Sequence, residues 1–195
     1  AKLREPSNGI TNIVVKVQRP HIDQIVAIDL AAIRTVIGWL VHYRPISKRV
    51  NLYALLAEFT HILDGELDYL AEGKNAETFA ENFRDDPDVR VPRVIWSHTT
   101  KRVLALEDVY GIKITDYAEI TAVGIDRAQV ADKLFKTYLQ QIFHNGFFHA
   151  DPHPGNLFVR IPPTPLAQGG QRGNGDWQLT FVDFGMVGHV TPSMR

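Results

Sequence analysis

The 195-residue chain has no cysteine, which excludes disulfides, thiolate metal sites and cysteine nucleophiles together and agrees with a reducing compartment. It also lacks a surplus of either charge, with 21 Lys and Arg against 22 Asp and Glu. No global field therefore favours nucleic acid or an acidic surface, and any partner must be found by a local site. Long uncharged apolar runs are missing as well. The most apolar stretch, IVAIDLAAIRTVIGWLV from Ile25 to Val41, contains Asp29 and Arg34. At a bilayer centre each would cost about 2.5–3.5 kcal/mol, so the stretch is expected to be a mostly buried helix of a soluble domain.

What is present suffices for a core. Hydrophobic residues make up 45% of the chain, enough for one sizeable core or two small lobes. Residues 1–19 predict a hairpin, with Asn8-Gly9 supplying a turn that tolerates positive φ and NIVVKVQRP forming a β-branched strand. Lys16 then sits inside an apolar strand. Pro20 ends that strand, and a helix is expected from about His21 to His42. Helical spacing runs from Leu52 to Phe83 with an interruption at Asp64-Gly65, which would put Glu66 with Leu70, and Asp68 with Glu72, on shared faces. VRVPRVIWS and RVLALEDV read as an antiparallel strand pair. A helix from about Arg127 to His144 should end at Asn145-Gly146 in a left-handed cap. NLFVRI and WQLTFVDFG predict two further strands, joined by a Pro-, Gly- and Gln-rich segment that reads as a flexible loop. The chain opens on Ala1 and closes at Arg195 just after a strand-like segment, so a piece of a longer protein is expected.

The chemistry concentrates in GFFHADPHPGNLFV, from Gly146 to Val159. Taken alone, His149, Asp151 and His153 could offer ligands to Zn or Fe, or could stiffen a turn. The downstream Asp183-Phe184-Gly185, following the apolar LTFV, decides between these readings. A Mg-nucleotide site for phosphoryl transfer needs a metal-binding carboxylate, a second oxygen ligand and a carboxylate that orients the acceptor. Asp183, Asn156 and Asp151 supply that set. His149-x-Asp151, with Asn156 five residues past the aspartate, matches the spacing of a kinase catalytic loop, and Asp183 opens a D-F-G. Such a site also needs a cation on the phosphates. Lys16 stands on an early strand, and the carboxylates Glu66, Asp68 and Glu72 follow on a later helix. A buried lysine is disfavoured by desolvation unless paired, so its position asks for one of them. In the same reading His149 bonds the backbone near the D-F-G turn, His153 stabilises its own loop, and Phe147, Phe148 and Phe158 are core.

VVKVQRP, ELDYLAEGKN, VRVPRVIW, FFHADPHPGNLFV and FVDFGMVG together resemble the UbiB/AarF, or ADCK-type, atypical kinase family. The resemblance spans nearly the whole chain. It implies an α+β, protein-kinase-like fold with a small β-rich N-lobe over residues 1–110 and a partial helical C-lobe over 111–195, truncated at both ends. It implies Lys16 as the phosphate-binding lysine and Glu72 as its helical partner, although spacing leaves Glu66 and Glu72 both open for that pairing. Glu66 and Asp68 match the family's E-x-D motif. Asp151 matches the catalytic-loop aspartate, and Asn156 and Asp183 the metal ligands. Glu107 to Val109 would be the hinge that meets adenine through backbone groups. ATP and Mg2+ are the implied cofactors, and the implied reaction is phosphoryl transfer or ATP hydrolysis tied to ubiquinone or other isoprenoid-lipid metabolism. Implied partners are isoprenoid lipids or lipid-biosynthesis proteins, with no nucleic acid. The implied location is cytoplasmic, peripheral to or anchored at a membrane through parts outside these residues. The alternatives are a nucleotide-binding scaffold without turnover and an inactive fragment.

Overall fold

A computed structural model describes residues 1–43, 45, 49–109, 111–162 and 177–191, and of Asp64 and Glu66 the backbone alone. The segment read as a flexible loop falls almost wholly outside these residues. The expected hairpin is formed by β1 (Lys2–Ser7) and β2 (Ile10–Val17), joined through Asn8 at φ 48° and Gly9 at φ 80°. Two successive positive φ values suit the right-handed twist of a two-residue hairpin, which is why Asn-Gly serves here. Pro6 is tolerated because, among the described residues, β1 is an edge strand with no partner beyond it to need its missing N–H. On its other side β2 pairs antiparallel with β4 (Val103–Glu107), with Lys16 opposite Leu104.

Helix α1 spans Ile22–Leu40 and α2 spans Leu52–Glu66. The expectation of a mostly buried first helix is not met. Ile37 is its one buried residue, while Ile28 is 69% and Trp39 71% exposed. The reason is that α1 packs chiefly on α2, which itself leaves Tyr53, Leu55 and Phe59 exposed. Among the described residues no helix is long and apolar enough to cross a membrane.

The break before α3 (Tyr69–Asn82) falls at Leu67-Asp68, not at Asp64-Gly65. Asp68 has extended backbone and caps α3, its Oδ1 accepting from the N–H groups of Leu70 and Ala71. Neither Glu66 with Leu70 nor Asp68 with Glu72 therefore shares a helix face. Glu72, Gly73, Ala76 and Phe79 form the buried stripe of α3. One helix face thus carries a carboxylate near its start and a core aromatic near its end.

The expected pairing of VRVPRVIWS with RVLALEDV holds only around Val94, which bridges Leu106. The first part of that run, β3 (Val89–Arg90), instead pairs parallel with β8 (Gln178–Phe181). Residues 89–95 consequently stitch two sheets together. The second sheet has the order β3-β8-β7-β5, with β5 at Ile112–Lys113 and β7 at Leu157–Arg160. A short α4 (Tyr117–Ala122) and α5 (Arg127–Leu139) follow β5. The chain then winds as a π-helical turn over Gln140–Asn145 and stops at Gly146, whose φ of 64° makes the expected left-handed cap. Beneath the second sheet lies the main core. Its centre is an aromatic group in which Phe79 lies 4.9 Å from Phe83 and 5.1 Å from both Phe181 and Phe184, ring centre to ring centre.

The last pair joins β6 (Phe147–His149) to β9 (Val187–His189), with Phe148 directly opposite Gly188. A Cβ on Gly188 would lie 2.2 Å from the Phe148 ring. Gly188→Ala is therefore expected to destabilise the full-length protein by about 1–3 kcal/mol through overpacking, measured by chemical denaturation; an unchanged midpoint would contradict the packing described.

Candidate active site

Strand alternation puts Val14 and Lys16 on one face of β2, and Gln18 follows just past its end. Lys16 Nζ lies 2.7 Å from Glu72 Oε1 and 3.2 Å from Asp183 Oδ1. Of the two carboxylates left open for Lys16, the contact is made by Glu72; the side chain of Glu66 lies outside the described residues. Tyr69 adds its ring face 5.4 Å from the ammonium. Burial alone would lower the Lys16 pKa, but the Glu72 and Asp183 carboxylates outweigh it and hold the lysine above its usual value. Burial pushes the Glu72 carboxyl up, with the Lys16 ammonium acting against it. Both members of the pair are desolvated, Glu72 the more deeply buried of the two, and each charge is tolerable because the other compensates it.

The orientation of α3 that makes this contact is fixed from both ends. Gln18 Nε2 donates to the carbonyl of Leu67 at 2.6 Å, and Tyr69 N–H donates to Lys101 O at 3.2 Å. Further along, Asn75 Nδ2 donates to the carbonyl of Phe184 at 3.0 Å. Sequence reasoning missed Gln18 and Asn75. The signals were there in position alone: Gln18 is two residues beyond Lys16, just past the end of β2, and Asn75 is one helical turn beyond Glu72.

Asp183 has a φ of 64°, in the left-handed region that non-glycine residues enter at a cost of about 1–2 kcal/mol. Its neighbours hold it there. Val182 N–H donates to Asn156 O at 3.0 Å, and His149 Nε2 meets Val182 O at 3.2 Å. His149 is fully buried and bonds the backbone just before the D-F-G, as expected. His153 likewise serves its own loop, its Nδ1 accepting from Gly155 N–H at 3.0 Å. The two histidines and Asp151 do not converge, and among the described residues no three His, Asp or Glu side chains form a metal-binding group.

Asn156 Nδ2 donates to Asp151 Oδ2 at 2.8 Å. The amide is thereby turned so that its Oδ1 remains available as a hard oxygen ligand. Asp151 does not line the main cleft and reaches it through Asn156. Its charge, after burial, helps push the Tyr138 hydroxyl up to about 12. The cleft itself has a volume of about 380 Å³ and runs between the two sheets. Val14, Leu106, Val109 and Phe158 supply apolar walls, while Lys16, Asn156 and Asp183 line its polar end. Phe158 is thus a half-buried cleft wall rather than core, because it faces this space from β7. Phe147 is buried as expected, whereas Phe148 is only half-buried against Gly188.

Glu107 and Val109, the expected hinge positions, both line the cleft. The Glu107 side chain, however, is engaged by Arg90 and lies 3.3 Å from Arg93 Nε, tying β4 to the β3 segment. Asp68 caps α3 and is not among the lining residues.

Together these features define a kinase-like fold with a strand lysine, a helical glutamate and two acidic loops near one cleft between the first two sheets. The chain matches the ABC1 atypical kinase-like domain over residues 1–195 and belongs to that family. It is 38% identical over 185 residues to Protein ACTIVITY OF BC1 COMPLEX KINASE 8, chloroplastic, of Arabidopsis thaliana, covering 94% of this chain and 23% of that protein. It is 35% identical over 192 residues to the Probable protein kinase UbiB of Xanthomonas oryzae pv. oryzae, covering 98% of this chain and 33% of that one. The chain thus spans about a quarter to a third of the length of these curated relatives. Among solved structures, the complex of Rv3197 with erythromycin from Mycobacterium tuberculosis superposes with a TM-score of 0.63 at 26% identity, covering 94% of this chain and 41% of that one.

Glu107 provides a pH test. Burial would raise its carboxyl, but Arg90 and Arg93 outweigh this and hold it below the usual 4.5. A carboxyl with a lowered folded-state pKa contributes stability that is present above its unfolded value and is lost as pH falls through the folded value. Glu107→Gln should cost about 1–3 kcal/mol at neutral pH and flatten the acid limb of a stability-against-pH curve below 4.5. A variant curve parallel to wild type through that range would contradict the ion pair.

Proposed function

We propose that this domain binds Mg-ATP in the interlobe cleft and transfers or hydrolyses the γ-phosphoryl group, as an atypical kinase or ATPase of the UbiB type. The observation that carries the reading is the single ammonium of Lys16 set between Glu72 and Asp183 at the polar end of a cleft whose far wall is apolar. The donor set fits a hard divalent cation. Asp183 supplies a carboxylate and Asn156 Oδ1 a neutral oxygen at the same end of the cleft, and both are hard donors. Asp183 and Asn156 would hold the metal, which when bound neutralises charge on the phosphates.

The side chains have distinct tasks in this reading. Lys16 leaves Asp183 to bind the α- and β-phosphates, while Glu72 keeps the ammonium pointed inward. The apolar walls of Val14, Leu106, Val109 and Phe158 take the base, with backbone groups at Glu107 to Val109 reading its edge. Asp151 orients the acceptor hydroxyl, or a water, toward the γ-phosphorus. Little covalent work falls to the protein, so positioning and electrostatics carry the rate. The resemblance to the UbiB/AarF family motivates a link to ubiquinone or related isoprenoid-lipid metabolism. With it come lipid or lipid-biosynthesis partners, and membrane contact through parts outside these residues.

In the full-length protein, Asp183→Asn should lower Mg-ATP affinity roughly 10- to 100-fold, equal to about 1.4–2.8 kcal/mol, and abolish single-turnover phosphate release. Unchanged Mg-ATP affinity would sink the assignment of Asp183.

A further inference from the structure

One fully buried polar side chain has no part in the proposed reaction. Gln141 is fully buried, and it stands on the π-helical turn at the end of α5. Single π turns occur mostly where a helix must re-aim a residue, and this one buries Gln141 while leaving Phe143 61% exposed. The Gln141 Oε1 accepts the backbone N–H of His149 at 2.9 Å. Because an N–H can only donate, that bond fixes which end of the amide is oxygen, and the NH2 group must point elsewhere.

His149 is equally buried and has one ring nitrogen engaged. Its Nε2 meets the Val182 carbonyl, which can only accept, so Nε2 carries the hydrogen. Nδ1 then presents a lone pair when the ring is neutral. Among the described residues, that Nδ1 and the Gln141 Nε2 are both buried side-chain atoms without a partner. One is an acceptor and the other a donor, and their residues are already joined through the Gln141 Oε1 bond. Buried polar groups are nearly always satisfied, directly or through an ordered water.

We propose that Gln141 is a positioning residue that grips His149 twice, directly through its Oε1 on the backbone N–H and, because its Nε2 and the ring Nδ1 make no direct bond, through an ordered water between its NH2 and that Nδ1. This grip sets two parts of the site at once. The His149 backbone leads within two residues to Asp151, and its ring holds the carbonyl of Val182, the residue before Asp183. Gln141 itself does not line the cleft. The kinetic consequence rests on the phosphoryl-transfer reading above; the ring contact does not.

Two other buried hydroxyls, those of Tyr138 and Thr180, also lack partners among the described residues and compete for the same role. Tyr138 is the nearer rival in packing, since its ring and that of His149 both lie against Phe181. The experiment is therefore comparative. In full-length protein labelled with 15N-histidine, long-range proton–nitrogen spectra should show His149 with hydrogen on Nε2 and a hydrogen-bonded Nδ1. Gln141→Met should move the Nδ1 resonance to that of an unbonded lone pair, and Gln141→Glu should place a hydrogen on Nδ1. Tyr138→Phe should leave it unchanged. In parallel, Gln141→Met should lower kcat for ATP turnover about tenfold with KM for ATP changed less than about threefold. A His149 spectrum indifferent to both Gln141 variants, or one moved by Tyr138→Phe instead, would overturn the proposal regardless of whether the protein turns over ATP. A moved spectrum with unchanged kcat would overturn its positioning role.

Discussion

The ammonium of Lys16 is the point on which the arrangement depends. Standing on β2, it touches α3 and the D-F-G turn at the same time. A lysine in an apolar strand is unfavourable by itself, and Glu72 on a helix stripe that otherwise buries Gly73, Ala76 and Phe79 is equally so. Each makes the other tolerable. The pair therefore fixes the rotation of α3, and that rotation is what carries Phe79 into the aromatic centre beneath the second sheet. Core packing and site geometry are set by one helix orientation.

The D-F-G turn is held by a different kind of constraint. Asp183 occupies a backbone conformation that only its surroundings sustain, through bonds reaching Val182 from Asn156 and His149 and Phe184 from Asn75. These contacts come from two separate stretches of chain, the loop from Gly146 to Val159 and α3, so the strained residue also records that both are in place. The Arg90 and Arg93 contacts with Glu107 perform the corresponding task at the hinge, where a segment of the second sheet is tied to the last strand of the first.

Much of this was legible in the sequence because the signals were local. Asn8-Gly9 and Gly146 demand positive φ and marked a turn and a helix end. The strand lysine, the HxD loop and the D-F-G carry their chemistry in residue type and spacing. What was not legible depended on tertiary choice. Asp68 could cap a helix or decorate one, and the tie from Gln18 to Leu67 lies exactly where the two helices part. The parallel pairing of Val89–Arg90 with Leu179 and Thr180 joins residues distant along the chain and leaves no local trace. Exposure of α1 was equally hidden, since its apolar composition suits a buried helix and its packing chiefly on α2 leaves most of it exposed.

The proposed function assigns the polar end of the cleft, at Lys16, Asn156 and Asp183, to a metal-bound phosphate chain. The most direct measurement is a crystal structure of the full-length protein with Mg2+ and a non-hydrolysable ATP analogue. The account predicts Lys16 Nζ transferred from Asp183 to the α/β-phosphates with Glu72 still bonded to it, and the metal on Asp183 and Asn156 Oδ1. A nucleotide bound elsewhere, or bound in the cleft with Lys16 still on Asp183 and no metal at that carboxylate, would contradict it.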